Sequence, residues 1–506
     1  MKNYEIDATW QYHNGTKHPN GILLSRSHTY HPASRPTPYK NYKNATQIKI
    51  ALDKQPSGIS ALDAISDKTR YKNLDFIPDI KMLSKILYFS GGITKTLKFS
   101  PPLGEIEFRA ASCTGALYHI EMYIVCSDIL GLGAGVYHFD PKNFSLTALR
   151  KGDYRKIIAD ATANEPFASS APVSLIFTDI FSRNSVKYQA REYRHAFWDC
   201  GTILSNSLAM TSVQKMPYKL ILGFVDSKIN SLLGLDTKKE VALAILSLGR
   251  VEQEIPDPPQ LDKIAESEPF EYDCDFVSIN EMHESSSLTD IQEVSAWRRQ
   301  MSPIHQTSLN PIKMIGDIHV DESVEQTIIR RGSTRKFSHD CISLEQLSTI
   351  LKRSTNGFVA DFQESNTIND VYIIANAVDG LEQGSYFYNK KDDSLELLQK
   401  GNFRDMSGHL GLDQSLPYDA SVTIFFMVDL QKILEHFGNR GYRVAQLDAS
   451  IAAGRMYLAA YALHIGATGL TFYDDTVTEF FLPHAGNKNT MFMLAIGKKT
   501  KRETSQ

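Results

Sequence analysis

Three arginines and two hydroxyl side chains fall within six consecutive residues in the second half of the chain. The segment is Arg330-Arg331-Gly332-Ser333-Thr334-Arg335. A guanidinium donates paired hydrogen bonds to phosphate oxygens, and a serine hydroxyl adds a neutral donor. These residue types at this spacing predict a receptor for a phosphate monoester. Composition alone leaves a solvated basic turn as the alternative.

A second segment has small residues and no charge. It reads Ser112-Cys113-Thr114-Gly115-Ala116. Small side chains and a glycine allow backbone amides to approach a flat ligand closely. The segment precedes a predicted strand, so it is a candidate ligand-contacting loop. A plain turn at the start of a strand is the alternative.

A lysine and a tyrosine are adjacent at Lys187 and Tyr188. Burial lowers the pKa of a lysine so that it can accept a proton, whereas a phenol can donate one. The pair is therefore a candidate base and acid for proton transfer. Adjacent lysine and tyrosine residues are also common on protein surfaces, and that interpretation stays open.

The chain repeats itself. The sequence YRHAFWDCG at Tyr193 is matched by YRVAQLDAS at Tyr442, 249 residues later, and Asp226 is matched with Asp475. Three apolar, strand-like runs recur at nearly the same offset. An offset that persists through helices, strands and turns indicates two copies of one domain fused in tandem.

The two copies have kept different polar residues. Opposite 330–335 the first copy has Ser66-Asp67-Lys68-Thr69-Arg70, in which Asp67 would repel a phosphate dianion. Opposite 112–116 the second copy has Asp361-Phe362-Gln363-Glu364-Ser365, which is bulky and acidic. Each copy therefore retains a different part of one site.

The lysine and tyrosine also belong to one copy only. Lys187 and Tyr188 are replaced by His436 and Phe437 in the second copy. The neighbouring Arg-Tyr-Arg frame is shared between the copies, so we expect that frame to be structural. The lysine–tyrosine pair is then the part that distinguishes the first copy.

Apolar periodicity predicts helices and strands that do not alternate strictly, which favours an α+β fold. The predicted helices lie near 78–90, 199–216, 344–353 and 442–464, and the predicted strands at 120–126, 173–180 and 241–248. We expect four segments: an extended N-terminal arm at 1–60, a first domain at 61–250, a linker with one short helix around Trp297 at 251–318, and a second domain at 319–506.

Composition excludes several classes of protein. A formal net charge of −4 and a hydrophobic share of 42% are typical of a globular protein and give no reason to expect nucleic acid or a membrane as partner. The five cysteines form no CxxC pair, so we expect a cytoplasmic protein without disulfides. The N-terminal histidines (His13, His18, His28 and His31) lack ligand spacing, so we expect no metal site.

These segments together resemble the nitroreductase superfamily, and within it the SagB-type azoline dehydrogenases. The resemblance spans roughly 60–250 and 319–500. It implies FMN bound at a dimer interface, with an Arg-rich segment of one protomer on the phosphate and a small-residue loop of the other at the ring. Gly332 is an additional residue in the Arg-rich segment, and Ser112 and Cys113 replace the proline and serine usual in the loop.

The resemblance also implies roles for further residues. Ala467-Thr468-Gly469, within a predicted loop that starts at Gly466, would border the flavin ring. Lys498 and Lys499 would lie near the phosphate. Lys187 and Tyr188 match the pair thought to be catalytic in azoline oxidases.

In a fused chain the two copies form an intramolecular pseudo-dimer, and only one of its two sites is complete in sequence. We therefore expect one FMN per chain and dehydrogenation of a thiazoline or oxazoline, as a small molecule or in a modified peptide. NAD(P)H or oxygen would be the redox partner, and the chain would act as a monomeric pseudo-dimer or a homodimer. The alternatives are an NAD(P)H-dependent nitro- or quinone reductase and a non-catalytic scaffold of the same fold.

Overall fold

The computed structural model describes residues 2–19, 35–67, 75–100, 104–269, 276–298, 309–363 and 367–500. Its helices are α1 (Asp7–Gly15), α2 (Ala61–Ser66), α3 (Ile80–Gly91), α4 (Arg155–Ala161), α5 (Pro166–Ser170), α6 (Phe181–Tyr188), α7 (Glu192–Val213), α8 (Asp226–Leu233), α9 (Val277–Ser285), α10 (Ile291–Trp297), α11 (Val324–Arg330), α12 (Leu344–Ser354), α13 (Arg404–Leu410), α14 (Ser415–Asp419), α15 (Leu430–Phe437), α16 (Arg440–Ala462) and α17 (Asp474–Phe480).

The strands of the first half are β1 (Thr46–Lys49), β2 (Ile93–Lys98), β3 (Glu105–Arg109), β4 (Ile120–Cys126), β5 (Gly135–Asp140), β6 (Ser145–Lys151), β7 (Val173–Ile180), β8 (Tyr218–Ile221) and β9 (Glu240–Leu248). Those of the second half are β10 (Ile312–Lys313), β11 (Ile342–Ser343), β12 (Asp370–Ala375), β13 (Val378–Asp379), β14 (Gly384–Asn389), β15 (Ser394–Lys400), β16 (Val422–Val428), β17 (Gly466–Leu470) and β18 (Asn489–Gly497).

Two seven-stranded sheets share one topology. Their strand orders are β1-β6-β5-β4-β7-β9-β8 and β10-β15-β14-β12-β16-β18-β17, so the strands correspond one to one. Neighbouring strands are antiparallel, for example Tyr123 opposite Ile176 in one sheet and Tyr372 opposite Phe425 in the other. Antiparallel sheets with helices packed on them are α+β, and the predicted tandem fold is confirmed.

The central strands are buried along their whole length. Every residue of β4, β7 and β16 is buried, and β4 and β7 begin and end at the predicted residues. Continuous apolar runs of this length are typical of strands that are covered on both faces. The sequence therefore predicted these sheets well because burial alone fixes the strands.

The helices on either side of the basic segment begin at strong caps. Ser323 accepts a hydrogen bond from the Gln326 amide, and the Gln326 side chain accepts one from the Ser323 amide, which is a capping box. Ser343 and Gln346 form the same arrangement at the start of α12. Such a cap stabilises a helix by about 1 kcal/mol. The cap at Ser323 fixes the residue at which α11 begins, and so it helps to place residues 331–335, which follow the helix.

The long helices α7 and α16 pack against each other at the domain interface, and their glycines permit the close approach. A Cβ added to Gly201 would lie 1.8 Å from Ser450 Oγ, and one added to Gly454 would lie 2.3 Å from Ser205 Oγ. Gly201 and Ser450 are equivalent positions of the two copies, as are Ser205 and Gly454. Each close contact therefore pairs a glycine of one copy with the serine of the other.

Reciprocal buried ion pairs join the two domains. Each aspartate accepts from two arginines of the opposite long helix or of the residue just before it. The pairs, measured from nitrogen to oxygen, are Arg191–Asp474 (2.9 Å), Arg194–Asp474 (2.6 Å), Arg440–Asp226 (2.7 Å) and Arg443–Asp226 (2.8 Å). The structural role expected for the shared arginine frame agrees with these contacts.

This arrangement corrects the predicted match of Asp226 with Asp475. Asp474 is the true counterpart of Asp226, because it forms the equivalent pair of ion pairs. Asp475 is exposed and binds Lys17 at 2.7 Å instead. The second copy is therefore one residue shorter than the first between α16 and α17.

The N-terminal arm was predicted to be extended, and its start is helical instead. In α1, the carbonyl of His13 accepts a hydrogen bond from Arg194 at 2.7 Å. In α9, the carbonyl of His283 accepts one from Arg443 at 2.8 Å. Because Arg194 and Arg443 are equivalent, α1 and α9 are equivalent elements of the two copies.

The segment 251–318 contains more structure than the single helix predicted around Trp297. Both α9 and α10 lie within it, and the Trp297 side chain is fully buried. The Trp297 indole N–H donates to the Phe437 carbonyl at 2.9 Å. This part of the chain therefore contributes to the core of the protein.

No helix among the described residues combines the length and apolarity that a membrane crossing requires. Cys113, Cys126, Cys200 and Cys341 are free thiols. Cys274, His28 and His31 lie outside the described residues.

Candidate active site

The lysine–tyrosine pair lies at the end of a helix. Lys187 and Tyr188 are the last two residues of α6, which stops because Gln189 takes a left-handed φ of 51°. Both side chains approach Gly115: a Cβ added there would lie 3.0 Å from Tyr188 Oη and 3.4 Å from Lys187 Nζ. The structure therefore brings together two of the segments selected from the sequence.

A buried carboxylate, Asp199 of α7, holds the small-residue loop. Asp199 accepts hydrogen bonds from the Thr114 amide (2.9 and 3.0 Å), the Thr114 hydroxyl (2.8 Å) and the Cys113 thiol (3.0 Å). The backbone is left-handed at Gly115 and Ala116, with φ of 61° and 54°. Gly115 takes this conformation without strain, whereas Ala116 retains it only in a firmly held loop, and strained residues of this kind cluster at functional sites.

The basic segment lies between α11 and the edge strand β17. The Thr334 amide donates to the Ala467 carbonyl at 3.0 Å, and the Thr334 hydroxyl lies 3.3 Å from Tyr461 Oη. Ser333 Oγ lies 3.5 Å from Tyr457 Oη. Residues 466–469, predicted as a loop, are thus part of an edge strand that supports the basic segment.

Arg331 connects the basic segment to the first domain. Its guanidinium donates to the Ala110 carbonyl from Nε at 3.0 Å and from a terminal nitrogen at 2.8 Å. Ala110 lies two residues before Ser112. We call the region between 109–116 of the first domain and 331–335 with β17 of the second domain the Arg331 crevice.

The Arg331 crevice carries positive charge. Arg330 is paired with Glu322, with its Nε 2.9 Å from a Glu322 oxygen. In contrast, no carboxylate of the described residues forms an ion pair with Arg331 or Arg335. The Lys499 ammonium lies 4.0 Å from the centre of the Tyr461 ring on the same side.

The electrostatic environment separates the protonation of Lys187 from that of Tyr188. Part of the Lys187 side chain is exposed, yet partial burial and then the charges of Arg335 and Arg35 lower the pKa of Lys187. Burial, followed by the charges of Asp199 and Cys113, raises the pKa of Tyr188. These two shifts favour a neutral amine and a protonated phenol, which are the forms that a base and an acid require.

Lys498 and Lys499 follow β18, as predicted, and have different surroundings. Lys499 packs on Tyr461 and lies close enough to Arg330 for the two charges to interact. Lys498 acts electrostatically on Cys341 instead. The structure therefore places Lys499, rather than Lys498, beside the basic segment.

A pseudo-symmetric second crevice lies between 358–363 of the second domain and 218–223 of the first. We call it the Asp361 crevice. Asp361 is buried, and its carboxylate accepts from the Leu222 amide at 3.0 Å and the Gly223 amide at 2.7 Å. Glu364-Ser365 and Lys68-Thr69-Arg70, which the sequence comparison also included here, lie outside the described residues.

Backbone hydrogen bonds close the Asp361 crevice. The Leu220 amide donates to the Val359 carbonyl and the Asp361 amide donates to the Leu220 carbonyl, both at 3.0 Å. At the equivalent positions of the Arg331 crevice, the Ala110 carbonyl accepts from Arg331 and the Gly469 amide donates to Tyr457 Oη. In the Arg331 crevice, side chains thus form hydrogen bonds with the backbone groups whose equivalents in the Asp361 crevice bond directly to each other.

Several residues of the site escaped the sequence analysis. Tyr457 and Tyr461 are four residues apart on α16, and Leu208 and Ser212 replace them in the first copy. That difference was a usable signal. Arg35, which donates to the Ala116 carbonyl, had none, because its contact depends on tertiary structure.

The model of the Nitroreductase family matches residues 328–498. Residues 328–498 form a nitroreductase-family domain. This nitroreductase domain includes the basic segment, β17 and Lys498, and it does not include Lys187 or Tyr188. The family match therefore covers the second-domain side of the Arg331 crevice.

The nitroreductase fold extends over both domains. A solved structure of a candidate nitroreductase from Anabaena variabilis has a TM-score of 0.78 and 23% identity, and the match covers 97% of this chain and 99% of that one. At this identity the likeness establishes the fold. The predicted resemblance to the nitroreductase superfamily is confirmed for residues 328–498 by the family model.

Two curated relatives match about a third of the chain. A candidate nitroreductase of Methanocaldococcus jannaschii is 25% identical over 171 residues, which are 34% of this chain and 80% of the relative. The trifolitoxin-processing protein TfxB of Rhizobium leguminosarum bv. trifolii is 27% identical over 178 residues, 34% of this chain and 48% of the relative. The chain therefore spans about half the length of TfxB.

Proposed function

We propose that the chain is an FMN-dependent dehydrogenase with one composite site, the Arg331 crevice, that oxidises a thiazoline or oxazoline ring. The observation that carries this proposal is the contact of Arg331 with Ala110. It joins the basic segment of one domain to the loop that touches Lys187 and Tyr188 of the other. In the Asp361 crevice, His436 and Phe437 replace the lysine–tyrosine pair, and backbone hydrogen bonds join the two domains directly.

The residues of the Arg331 crevice suit FMN. A phosphate monoester needs cationic donors whose charge is not already neutralised, and Arg331, Arg335 and Lys499 meet this need. Burial lowers the pKa of Arg331, which marks a guanidinium whose charge lacks full compensation. At the other end, a side chain at Gly115 would crowd Tyr188 and Lys187, so the glycine lets that pair lie directly against the 112–116 loop. Ser333 and the 112–116 loop would complete the cofactor contacts.

The chemistry divides between cofactor and protein. Bound FMN would supply the two-electron acceptor for a hydride. Lys187 would accept the carbon-bound proton at Nζ as the substrate ring loses two hydrogens, one as that proton and one as the hydride. Tyr188, held as the neutral phenol, would donate a hydrogen bond or proton to the ring heteroatoms and orient the substrate.

The name of one relative supports the proposed substrate class. TfxB is named as a trifolitoxin-processing protein, and a toxin-processing role suits heterocycles within a modified peptide. We propose a modified peptide as the substrate, with oxygen or NAD(P)⁺ as the acceptor that reoxidises the flavin.

The test is a single-turnover assay of the FMN-loaded protein with a thiazoline-containing peptide, without added NAD(P)H. The proposal predicts bleaching of the flavin absorbance together with a loss of two mass units from the peptide. Bleaching by NAD(P)H but never by thiazoline or oxazoline peptides would contradict it.

A second candidate is an NAD(P)H-dependent nitro- or quinone reductase, which the candidate nitroreductase of Methanocaldococcus jannaschii favours. In that case flavin reduction by NAD(P)H would be fast in stopped-flow mixing. Replacement of Lys187 would then change the rate little, because hydride transfer to the flavin needs no carbon-bound proton.

A further inference from the structure

A cluster of buried titratable side chains lies behind the loop 112–116. His119 is at its centre, with Nδ1 2.6 Å from an oxygen of Asp179 and Nε2 2.7 Å from an oxygen of Asp199. Glu192 lies at the far end, with an oxygen 3.4 Å from His119 Nδ1. All four side chains are buried, so water screens their charges little.

The hydrogen-bond partners indicate the protonation states within this cluster. Asp199 accepts from the Thr114 amide and hydroxyl, and His119 Nε2 lies 2.7 Å from the same carboxyl group, a set of donors that suits an ionised carboxylate. An imidazole that donates from both nitrogens is the imidazolium. Burial alone would disfavour that charge, but the charge of Asp179 and the hydrogen bonds to both aspartates raise the pKa of His119 well above its ordinary value.

At the far end of the cluster, the charged form of Glu192 is disfavoured. Burial and the neighbouring charge of Asp179 raise the pKa of Glu192 well above its ordinary value. Neither oxygen of Glu192 forms a hydrogen bond of good geometry among the described residues, although one lies 3.4 Å from His119 Nδ1. The contacts and the raised pKa of His119 therefore favour an imidazolium between two carboxylates, and the raised pKa of Glu192 favours the protonated acid beside them.

Hydrogen bonding explains this cluster better than a metal ion does. The donor atoms of Cys113 and His119 lie 3.0 and 2.7 Å from the same oxygen of Asp199. Around a tetrahedral zinc ion with bonds of about 2.0–2.3 Å, ligand atoms stand roughly 3.4 Å apart. The observed separations are those of direct donor–acceptor contacts.

The second domain shows that the fold does not need this cluster of titratable side chains. His119, Asp179 and Glu192 correspond to Ile368, Val428 and Gly441. Asp448, the counterpart of Asp199, is retained, and it fixes its own loop by accepting from the Ile368 and Asn369 amides at 2.9 Å each. Burying a charge costs several kcal/mol, so an extra buried triad in one copy alone indicates a role in the site of that copy.

We propose that His119 and Asp179 are positioning residues that hold Asp199 as a carboxylate beneath the loop 112–116, so that Gly115 stays seated against Lys187 and Tyr188. The catalytic consequence of this role rests on the proposed function. The arrangement itself does not, because it involves only residues of the apoprotein.

Substitutions test the catalytic consequence, with the duplicated domain as control. Asp199→Asn and His119→Leu should lower kcat about tenfold or more and change KM by less than about threefold, because a displaced loop misaligns the reacting groups. His119→Gln, whose side-chain amide can still donate to Asp199, should recover most of that loss. Asp448→Asn should lower stability about as much as Asp199→Asn does and leave kcat within about twofold.

A spectroscopic measurement tests the arrangement without cofactor or substrate. In the FMN-free protein, nitrogen-15 NMR of the His119 ring should show both nitrogens protonated well above pH 6.5, the ordinary midpoint of histidine. Asp179→Asn should return the ring to a single proton at neutral pH. A ring that titrates near pH 6.5 in the unsubstituted protein overturns the proposal, as does an equal loss of kcat in Asp199→Asn and Asp448→Asn.

These two measurements also separate this proposal from the proposed function. A doubly protonated His119 in a protein that never oxidises an azoline would remove the proposed function and leave the positioning arrangement in place. If His119→Leu does not fold, the ring signal of the unsubstituted protein and the Asp199→Asn and Asp448→Asn pair still decide.

Discussion

The Arg331 crevice and the Asp361 crevice are built from equivalent elements of two copies of one domain. In the Asp361 crevice, backbone groups of Leu220 pair with Val359 and Asp361, and a buried carboxylate caps two further amides. In the Arg331 crevice, Arg331 and Tyr457 take up the corresponding backbone groups. A few side chains therefore decide whether an interface of this fold becomes core or remains a candidate binding site.

The two crevices also differ in their charged and titratable side chains. The Arg331 crevice has cations without carboxylate partners among the described residues, and a lysine and tyrosine whose pKa values shift in opposite directions. The Asp361 crevice has His436 and Phe437 in place of that pair. Fusion of two copies leaves one site free to lose its function while the shared arginine–aspartate frame still holds the domains together.

The largest effect should come from Lys187→Ala. Without the amine that accepts the carbon-bound proton, turnover should fall by about 10³-fold, while FMN content stays the same because Lys187 holds no phosphate. The measurement is the azoline oxidation rate together with the flavin-to-protein ratio.

The matched control is His436→Ala at the equivalent position of the other crevice. It should leave turnover within about twofold of the unsubstituted protein. Equal losses in the two variants would remove the distinction between the crevices.

The next largest effect concerns the frame that both crevices share. Asp474→Asn and Asp226→Asn each leave two buried guanidiniums without a counter-charge, so each should lower the free energy of unfolding by about 3 kcal/mol or more. Denaturant unfolding followed by circular dichroism measures this change. The two losses should be similar because the ion pairs are related by the pseudo-two-fold.

Asp475→Asn is the control for this pair of substitutions. Asp475 is exposed and forms a surface ion pair with Lys17, so its loss should cost at most about 1 kcal/mol. A cost as large as that of Asp474→Asn would contradict the assignment of Asp474 as the counterpart of Asp226.

A smaller effect should distinguish the two C-terminal lysines. Lys499→Ala should weaken FMN binding about tenfold, because it removes a cation beside the basic segment. Lys498→Ala should weaken binding by less than about twofold, since Lys498 acts near Cys341. Fluorescence titration of the apoprotein with FMN gives both values, and a larger effect for Lys498 would reverse this placement.

The sequence predicted the elements that burial determines. Apolar runs located β4 and β7 to the residue, and the constant offset indicated two copies of one domain. The candidate segments could be found because small, basic and acid–base residues differ between equivalent positions. Internal duplication thus served as a comparison of two related sequences.

Other features depend on contacts that no local pattern encodes. The helix α1 is polar and was expected to be extended, but its carbonyl at His13 binds a buried arginine of α7. Asp474 and Asp475 are adjacent acids, and only the position of Arg191 and Arg194 distinguishes them. The triad of His119 brings together residues from β7, α7 and the residue before β4, which are distant in the sequence.

The number of FMN molecules bound per chain tests the central claim most directly. The purified protein, saturated with FMN and freed of excess, should give a flavin-to-protein ratio near one from absorbance and total amino acids. Lys499→Ala, measured the same way, should lower the occupancy of that one site. A ratio near two would show that the Asp361 crevice also binds flavin, and a protein that stays colourless with added FMN would show that neither crevice does.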